Sequence, residues 1–136
     1  MYSLGRFCRL VYFRKGLEYI NNEFSGNIPL DRNQLLSIPG TGPYICAAVR
    51  VFGYNVRDTI IDANVVRVLG RINGIPITPE IRRRKSFIAL AERYVPEQKS
   101  VEYSYGILDF AAEICGAVNP KCDLCELSFV CKSPSC

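Results

Sequence analysis

Apolar residues recur at steps of three and four along much of the chain, which is the spacing of one face of an α-helix. The first such run predicts a core-facing helix over residues 6–24 that stops at Gly26. The apolar face of this helix consists of Leu10, Phe13, Leu17, Ile20 and Phe24.

Two shorter helices separated by a tight turn are predicted next. Asp31 stands three residues before Gln34, a capping-box arrangement that predicts a helix to about Ser37. The turn residues 39–42 end it, and Pro43 restarts a helix because proline suits the first helical position. This third helix is predicted to end at Gly53, with one face made of Ile45, Ala48, Val49 and Phe52. The result is a helix, a hairpin and a helix.

Three further helices are predicted in the second half of the chain. Asp62 is expected to be the N-cap of the first of them, which buries Val65, Val68, Leu69 and Ile72. Thr78 and Pro79 begin the next, which runs to about Val95 with the basic residues 82–85 facing solvent. The last helix delivers Cys115 at its end and has an apolar face of Tyr103, Ile107, Phe110, Ala111 and Ile114. No strand is needed, so the predicted fold class is all-α.

Composition narrows the chemistry. The 136 residues, 49% hydrophobic and 22% charged, suffice for one globular domain or two small lobes. The chain has no histidine, which excludes Ser-His-Asp triads, Cys₂His₂ zinc sites and pH switching near neutrality. The formal charge of +4 suits a polyanionic partner without requiring one. No apolar run could span a bilayer and no signal peptide is recognised, so we expect a soluble, cytoplasmic protein.

Cysteine placement is the strongest chemical signal in the chain. Five of the seven cysteines lie in the last 22 residues, and four of them have the spacing C-x₆-C-x₂-C-x₅-C. These four are Cys115, Cys122, Cys125 and Cys131. Four convergent thiolates need a cation, and either a Cys₄ zinc site or an iron–sulfur cubane satisfies them. Disulfides and unrelated buried cysteines are the lesser alternatives, because a reducing compartment disfavours disulfides. Cys136 lies outside the pattern.

Two other features are ambiguous when taken alone. The hairpin residues 38–42 have two glycines that allow a backbone to approach a phosphate, yet a Pro-Gly-x-Gly sequence is often only a turn. Asp62 is a carboxylate that could take part in catalysis, yet an aspartate at an N-cap is structurally ordinary.

The order of these pieces carries a resemblance to a known family. The segments are Leu-Leu-Ser-Ile-Pro-Gly-Thr-Gly-Pro-Tyr at 35–44, Ile-Asp-Ala-Asn-Val-Val-Arg-Val at 61–68, and the cysteine tail. Together they resemble the endonuclease III branch of the helix-hairpin-helix DNA glycosylases. Within that branch the chain is similar to the adenine mismatch glycosylases and to the archaeal thymine/uracil mismatch glycosylases, and its motifs lean toward the latter. The match extends from Leu4 over essentially the whole chain.

The resemblance implies a two-lobed helix-hairpin-helix glycosylase fold with the substrate cleft between the lobes. Residues 1–56 would form part of the six-helix lobe, including the hairpin, and residues 57–136 the iron–sulfur lobe. It also favours a [4Fe–4S] cluster over zinc as the cofactor of the four cysteines.

The resemblance also implies the chemistry: base-excision repair of duplex DNA that carries a mispaired or damaged base. Asp62 matches the catalytic aspartate, which stabilises positive charge on the deoxyribose and positions the attacking water. Tyr44 falls where strand-cutting members carry a Schiff-base lysine, so a monofunctional enzyme is expected. The hairpin would bind DNA through Ile38, Gly40, Thr41 and Gly42. Arg67 and Arg71 are expected on a solvated face first and at DNA phosphates second.

The chain departs from the family pattern at its start. The family's N-terminal helices, which carry part of the base pocket, have no counterpart, so an apolar face is expected to be exposed. A separate chain could supply those helices. The alternative to a glycosylase is a non-catalytic DNA-binding iron–sulfur module or a fragment that needs them. The residues present do not specify which base is removed.

Overall fold

The computed structural model describes the backbone of residues 4–133 and the side chains of residues 9–133. The predicted all-α fold class is confirmed there, since no strand occurs in residues 4–133. The α-helices are α1 (Leu4–Phe24), α2 (Arg32–Ser37), α3 (Pro43–Ala48), α4 (Ala63–Asn73), α5 (Lys85–Tyr94) and α6 (Ser100–Glu113). A π-helical turn, Val49–Gly53, extends α3, and 3₁₀ turns occur at Ile81–Arg83 and Cys122–Leu124.

The predicted helix starts are confirmed at three residues. Asp31 caps α2 by accepting a hydrogen bond from the Gln34 amide at 2.9 Å. Pro43 opens α3, and Asp62 is the N-cap of α4. Each signal is local, because a side chain at a helix start satisfies amides only two or three residues away.

The helix predicted from Thr78 to Val95 is broken in the structure. Ile81–Arg83 form a 3₁₀ turn, and α5 starts only at Lys85, because Arg84 has an extended backbone with φ −73° and ψ 126°. The break lets Ile81 turn into the core, where it is 5% exposed. The basic residues 82–85 are exposed, as predicted.

The buried face of α3 also differs from the prediction. Ile45 and Phe52 are exposed, whereas Cys46, Ala47 and Val51 are fully buried. The segment is apolar on nearly every side, so the sequence did not specify one face. The π turn changes the winding at Val49–Gly53, which shifts the positions that face inward.

The chain forms two compact units, Met1–Tyr54 and Asn55–Cys136. The core of the first unit is Leu35, Ile38 and Cys46, with Tyr19, Ile20, Phe24 and Val49 packed against it. The described side chains of α1 that pack against this core lie near the end of the helix. Leu10, Phe13 and Leu17, which were predicted to face a core, are 53–67% exposed. The expected exposed apolar face is therefore on α1.

The second unit is centred on α4, which packs against α6 and the 3₁₀ turn Ile81–Arg83. Its core consists of Val65, Val66, Leu69, Ile81, Phe87 and Ala91. The predicted apolar face of α6 is only partly buried, since Ala111 alone among its members is fully enclosed. Within residues 4–133, no helix has the length and apolar character to cross a membrane.

Candidate functional site

The hairpin between α2 and α3 is a tight turn in the first unit. The Thr41 amide donates to the Ile38 carbonyl at 3.0 Å, and Ile38 anchors the turn in the core. Gly40 has φ 87°, and a Cβ there would lie 3.0 Å from Cβ of Tyr12. The fold therefore requires glycine at position 40 for both its backbone angle and its packing.

Gly42 is not required in the same way. Its backbone is extended, with φ −98° and ψ 177°, and a Cβ there would meet no atom within 4 Å. The space beside Gly42 is thus open surface at the start of α3. Tyr44, two residues on, is 46% exposed, and its phenol carries no amine that could form an imine.

Asp62 is held rigidly at the start of α4 in the second unit. Its Oδ1 accepts from the backbone amides of Asn64 and Val65, both at 2.8 Å. Its Oδ2 accepts from the side-chain amide of Asn64 at 2.9 Å. The carboxylate is partly exposed, so one end of a fixed anionic group faces the surface.

Asn64 joins Asp62 to the cysteine-bearing segment through Arg67. The Arg67 Nη2 donates to Oδ1 of Asn64 at 3.2 Å and to the Ala111 carbonyl at 2.8 Å. Its Nε donates to the Cys115 carbonyl at 2.8 Å. Because Asn64 donates to a carboxylate and accepts from a guanidinium, the orientation of its amide is fixed.

The prediction that Arg67 and Arg71 lie on a solvated face is wrong. Both side chains are partly buried and donate hydrogen bonds within the protein. Arg71 lies one turn after Arg67, and its Nη1 donates to the Gly116 carbonyl at 2.7 Å and approaches Cys115 Sγ at 3.3 Å. Both guanidinium groups satisfy carbonyls at the end of α6, where helices lack internal donors. The sequence signal for this role was the polar stripe at positions 64, 67 and 71 on α4, at steps of three and four.

The four cysteines line one small cavity in the second unit. Arg71 and Lys121 line it as well, so two cations flank the sulfur atoms. The Lys132 amide donates to the Arg71 carbonyl at 3.2 Å, which ties the end of the cysteine segment back to α4. The predicted ligand set, Cys115, Cys122, Cys125 and Cys131, is thus gathered around a common space.

Three of these four cysteines, Cys115, Cys125 and Cys131, have free thiols in the structure. Cysteine binds a metal as the thiolate. Cys136 lies outside the described residues.

The donor set fits a sulfur-ligated group, since four sulfur atoms and no carboxylate of Asp or Glu line the cavity. In the described part of the chain, no three His, Cys, Asp or Glu side chains converge closely enough to hold one metal ion.

Similar proteins are found by sequence, although no protein-family model matches the chain. The chain is 36% identical to a thymine/uracil-DNA glycosylase of Methanothermobacter thermautotrophicus over 81% of its own length and 50% of that protein. It is 33% identical to a thymine/uracil-DNA glycosylase of Pyrobaculum aerophilum over 88% of its length and 54% of that protein. An adenine DNA glycosylase of Buchnera aphidicola is 29% identical over 96% of the chain and 37% of that protein.

Solved structures share the fold. A thermostable thymine-DNA glycosylase superposes with a TM-score of 0.87 at 32% identity, covering 94% of this chain and 59% of that one. Endonuclease III in a non-covalent DNA complex gives a TM-score of 0.70 at 21% identity, which is a likeness of fold alone. The chain spans about half the length of the thymine/uracil glycosylases that it matches.

Proposed function

The chain belongs to the helix-hairpin-helix DNA glycosylase superfamily, and on that premise we propose that it excises a mispaired base from duplex DNA in base-excision repair. The substrates proposed are thymine or uracil opposite guanine, and adenine opposite guanine or 8-oxoguanine. The observation that carries this proposal is Asp62, a partly exposed carboxylate that three hydrogen bonds hold at the start of α4.

Asp62 would act on the sugar of a nucleotide turned out of the duplex. Positive charge grows on the deoxyribose as the bond to the base breaks, and a fixed carboxylate stabilises that charge without reorganising. The same oxygen atoms can orient the attacking water and accept its proton. Because Asn64 holds Oδ2 and the α4 amides hold Oδ1, the carboxylate is oriented before substrate binds.

The reaction is proposed to stop at an abasic site. Strand cleavage by an imine needs an amine nucleophile, and Tyr44 offers a phenol. The unaltered protein should therefore give intact abasic strands and no adduct on borohydride treatment. A trapped covalent adduct would contradict the monofunctional assignment.

DNA is proposed to bind at the hairpin through the backbone around Gly40 and Gly42. The open space beside Gly42 supports this, since a phosphate could approach there without meeting a side chain. Backbone contacts to phosphate carry no sequence information, so binding should be similar for duplexes of different sequence. Arg67 is a weaker candidate for a phosphate contact, because three of its hydrogen bonds are made within the protein.

A [4Fe–4S] cluster is proposed on Cys115, Cys122, Cys125 and Cys131. It would supply a cross-link that organises a segment with few buried residues of its own. Protein purified without oxygen and with a thiol reductant should be brown and contain about four irons per chain. A colourless protein with one zinc per chain would contradict the proposal.

A second polypeptide that covers the exposed face of α1 is proposed as a partner, since the chain spans about half the length of the thymine/uracil glycosylases that it matches. The exposed Leu10, Phe13 and Leu17 of α1 support it, because three large apolar side chains on one helix face are costly in water.

The deciding experiment measures base release from duplexes carrying G·T, G·U or A·8-oxoguanine, with fully paired duplexes as controls. Each duplex is tested with the chain alone and with an added polypeptide that spans the part of the Methanothermobacter thermautotrophicus glycosylase outside the match. Release from a mismatch but not from the paired controls is the expected result. DNA binding without release in either arm would contradict the enzyme and favour a non-catalytic binding module.

A further inference from the structure

A run of four cations, Arg82–Lys85, contains the whole net charge of the chain. The chain has 17 Lys and Arg against 13 Asp and Glu. Without these four, the 13 remaining Lys and Arg equal the 13 acidic residues. All four side chains are exposed. The excess positive charge is thus concentrated at one place on the second unit.

The run is held on a firm base rather than on a free loop. The Arg83 amide donates to the Glu80 carbonyl at 2.9 Å, and the Arg84 amide donates to the Ile81 carbonyl at 3.0 Å. Buried apolar residues flank the run on both sides, with Ile81 5% exposed and Phe87 2% exposed. The four charges therefore have a defined position on the surface.

These charges do not serve the stability of the fold. They lie at the start of α5, whose first turn has no acidic residue and no side-chain cap. Arg84 and Lys85, at the N-cap and first position of α5, are cations at the helix end where the dipole disfavours positive charge. Within residues 4–133, none of the four side chains makes an ion pair or a hydrogen bond. An anion bound beside the run would offset the repulsion among these cations and between them and the helix dipole.

The run is anchored to the part of α4 that Asp62 caps. Ile81 and Phe87 share one buried cluster with Val65 and Val66, which belong to the first turn of α4. The Val65 amide is itself a donor to Asp62 Oδ1. The basic run and the proposed catalytic carboxylate thus belong to a single packed region of the second unit.

We propose that residues 82–85 bind phosphates of the DNA duplex, as a contact separate from the hairpin. Its ligand follows from the proposed function, because the chemistry on the surface specifies a polyanion and the family specifies DNA. Phosphate contacts of this kind add affinity and salt dependence without sequence preference.

The test compares the salt dependence of binding to an undamaged duplex for the full chain and for a triple variant. The variant is Arg82→Gln, Arg83→Gln and Lys85→Gln. Each lost phosphate contact lowers the slope of log K against log salt by about 0.9. The triple variant should therefore have a slope smaller by about 2–3. Replacing Arg82 and Arg83 by Lys should keep the slope, because a point charge suffices for this term.

A matched variant removes three exposed cations elsewhere: Lys15→Gln, Arg93→Gln and Lys99→Gln. Its slope should equal that of the unaltered chain. Circular dichroism should show the same fold for both triples, since all six side chains are exposed. An unchanged slope in the 82, 83, 85 variant, with normal binding by the unaltered chain, would overturn this inference alone. Absence of binding by the unaltered chain would overturn the DNA-binding function together with it.

Discussion

Arg67→Ala is the substitution that most directly probes how the second unit is held together. Arg67 links α4 to the end of α6 by donating to the carbonyls of Ala111 and Cys115, each at 2.8 Å. It also donates to Asn64 Oδ1 at 3.2 Å. The alanine variant removes all three hydrogen bonds, and it leaves the Cys115 carbonyl with only the longer contact from Arg71 Nη1 at 3.5 Å.

The cost follows from the bonds lost. A hydrogen bond to a charged group contributes about 1.5–3 kcal/mol in net stability. The site is partly exposed, so water replaces some of each bond, and the three together should amount to about 2–4 kcal/mol. Arg67→Lys should lose less, because an ammonium keeps the charge near the helix end but cannot bridge three acceptors at once.

The assay is urea unfolding followed by circular dichroism, with the free energy of unfolding extrapolated to water. Arg93→Ala is the matched control, since Arg93 is an exposed arginine on α5 for which the described structure has no hydrogen bond. Its effect should stay within about 0.5 kcal/mol, as for most surface substitutions. If Arg67→Ala is no more destabilising than Arg93→Ala, the bridge between α4 and α6 is not a stabilising feature.

Three further predictions concern other parts of the chain. Gly40→Ala should lower the free energy of unfolding in urea by at least about 1 kcal/mol, because Gly40 has a positive φ and its added Cβ would contact α1. Gly42→Leu should leave that free energy unchanged and weaken binding to all duplexes alike. Equal effects of the two variants on stability would contradict this prediction. Burial raises the pKa of Tyr103 to about 12, above its unfolded value of about 10, so its contribution to stability is present below pH 10 and lost as the pH rises to 12. Tyr103→Phe should therefore lose less stability over that range, and identical pH profiles would refute the assignment. Cys115→Ala should lose bound iron and Cys46→Ala should keep it, as measured by iron per chain; iron retained by both would exclude Cys115 as a ligand.

The sequence predicted helix starts well because each is decided by neighbours in the chain. Asp31 and Asp62 accept hydrogen bonds from backbone amides within three residues, and Pro43 has no amide hydrogen that would need a partner. These helix starts can therefore be predicted without tertiary information. The break before Lys85 escaped prediction because its cause is tertiary. Ile81 packs with Val65 and Leu69 of α4, and this contact cannot be read from the residues that neighbour Ile81 in the chain.

The roles of Arg67 and Arg71 escaped prediction for a similar reason. Their acceptors lie 44–48 residues later in the chain, at the end of α6. The sequence around an arginine is the same whether its side chain is exposed to solvent or bridges two helices. In contrast, the spacing of the four cysteines was informative, because a short segment brings them to a common cavity.

The most direct test of the account compares two aspartates that both cap helices. Asp62 caps α4 and Asp31 caps α2, and asparagine caps a helix about as well as aspartate does. Single-turnover base release is measured for Asp62→Asn and Asp31→Asn on whichever mismatched duplex the unaltered protein uses best. Asp62→Asn should lower the rate by about 10²-fold or more while binding to the duplex persists, because the amide offers no negative charge to the sugar. Asp31→Asn should leave the rate unchanged. Undiminished release by Asp62→Asn would contradict the catalytic role and leave Asp62 as a helix cap.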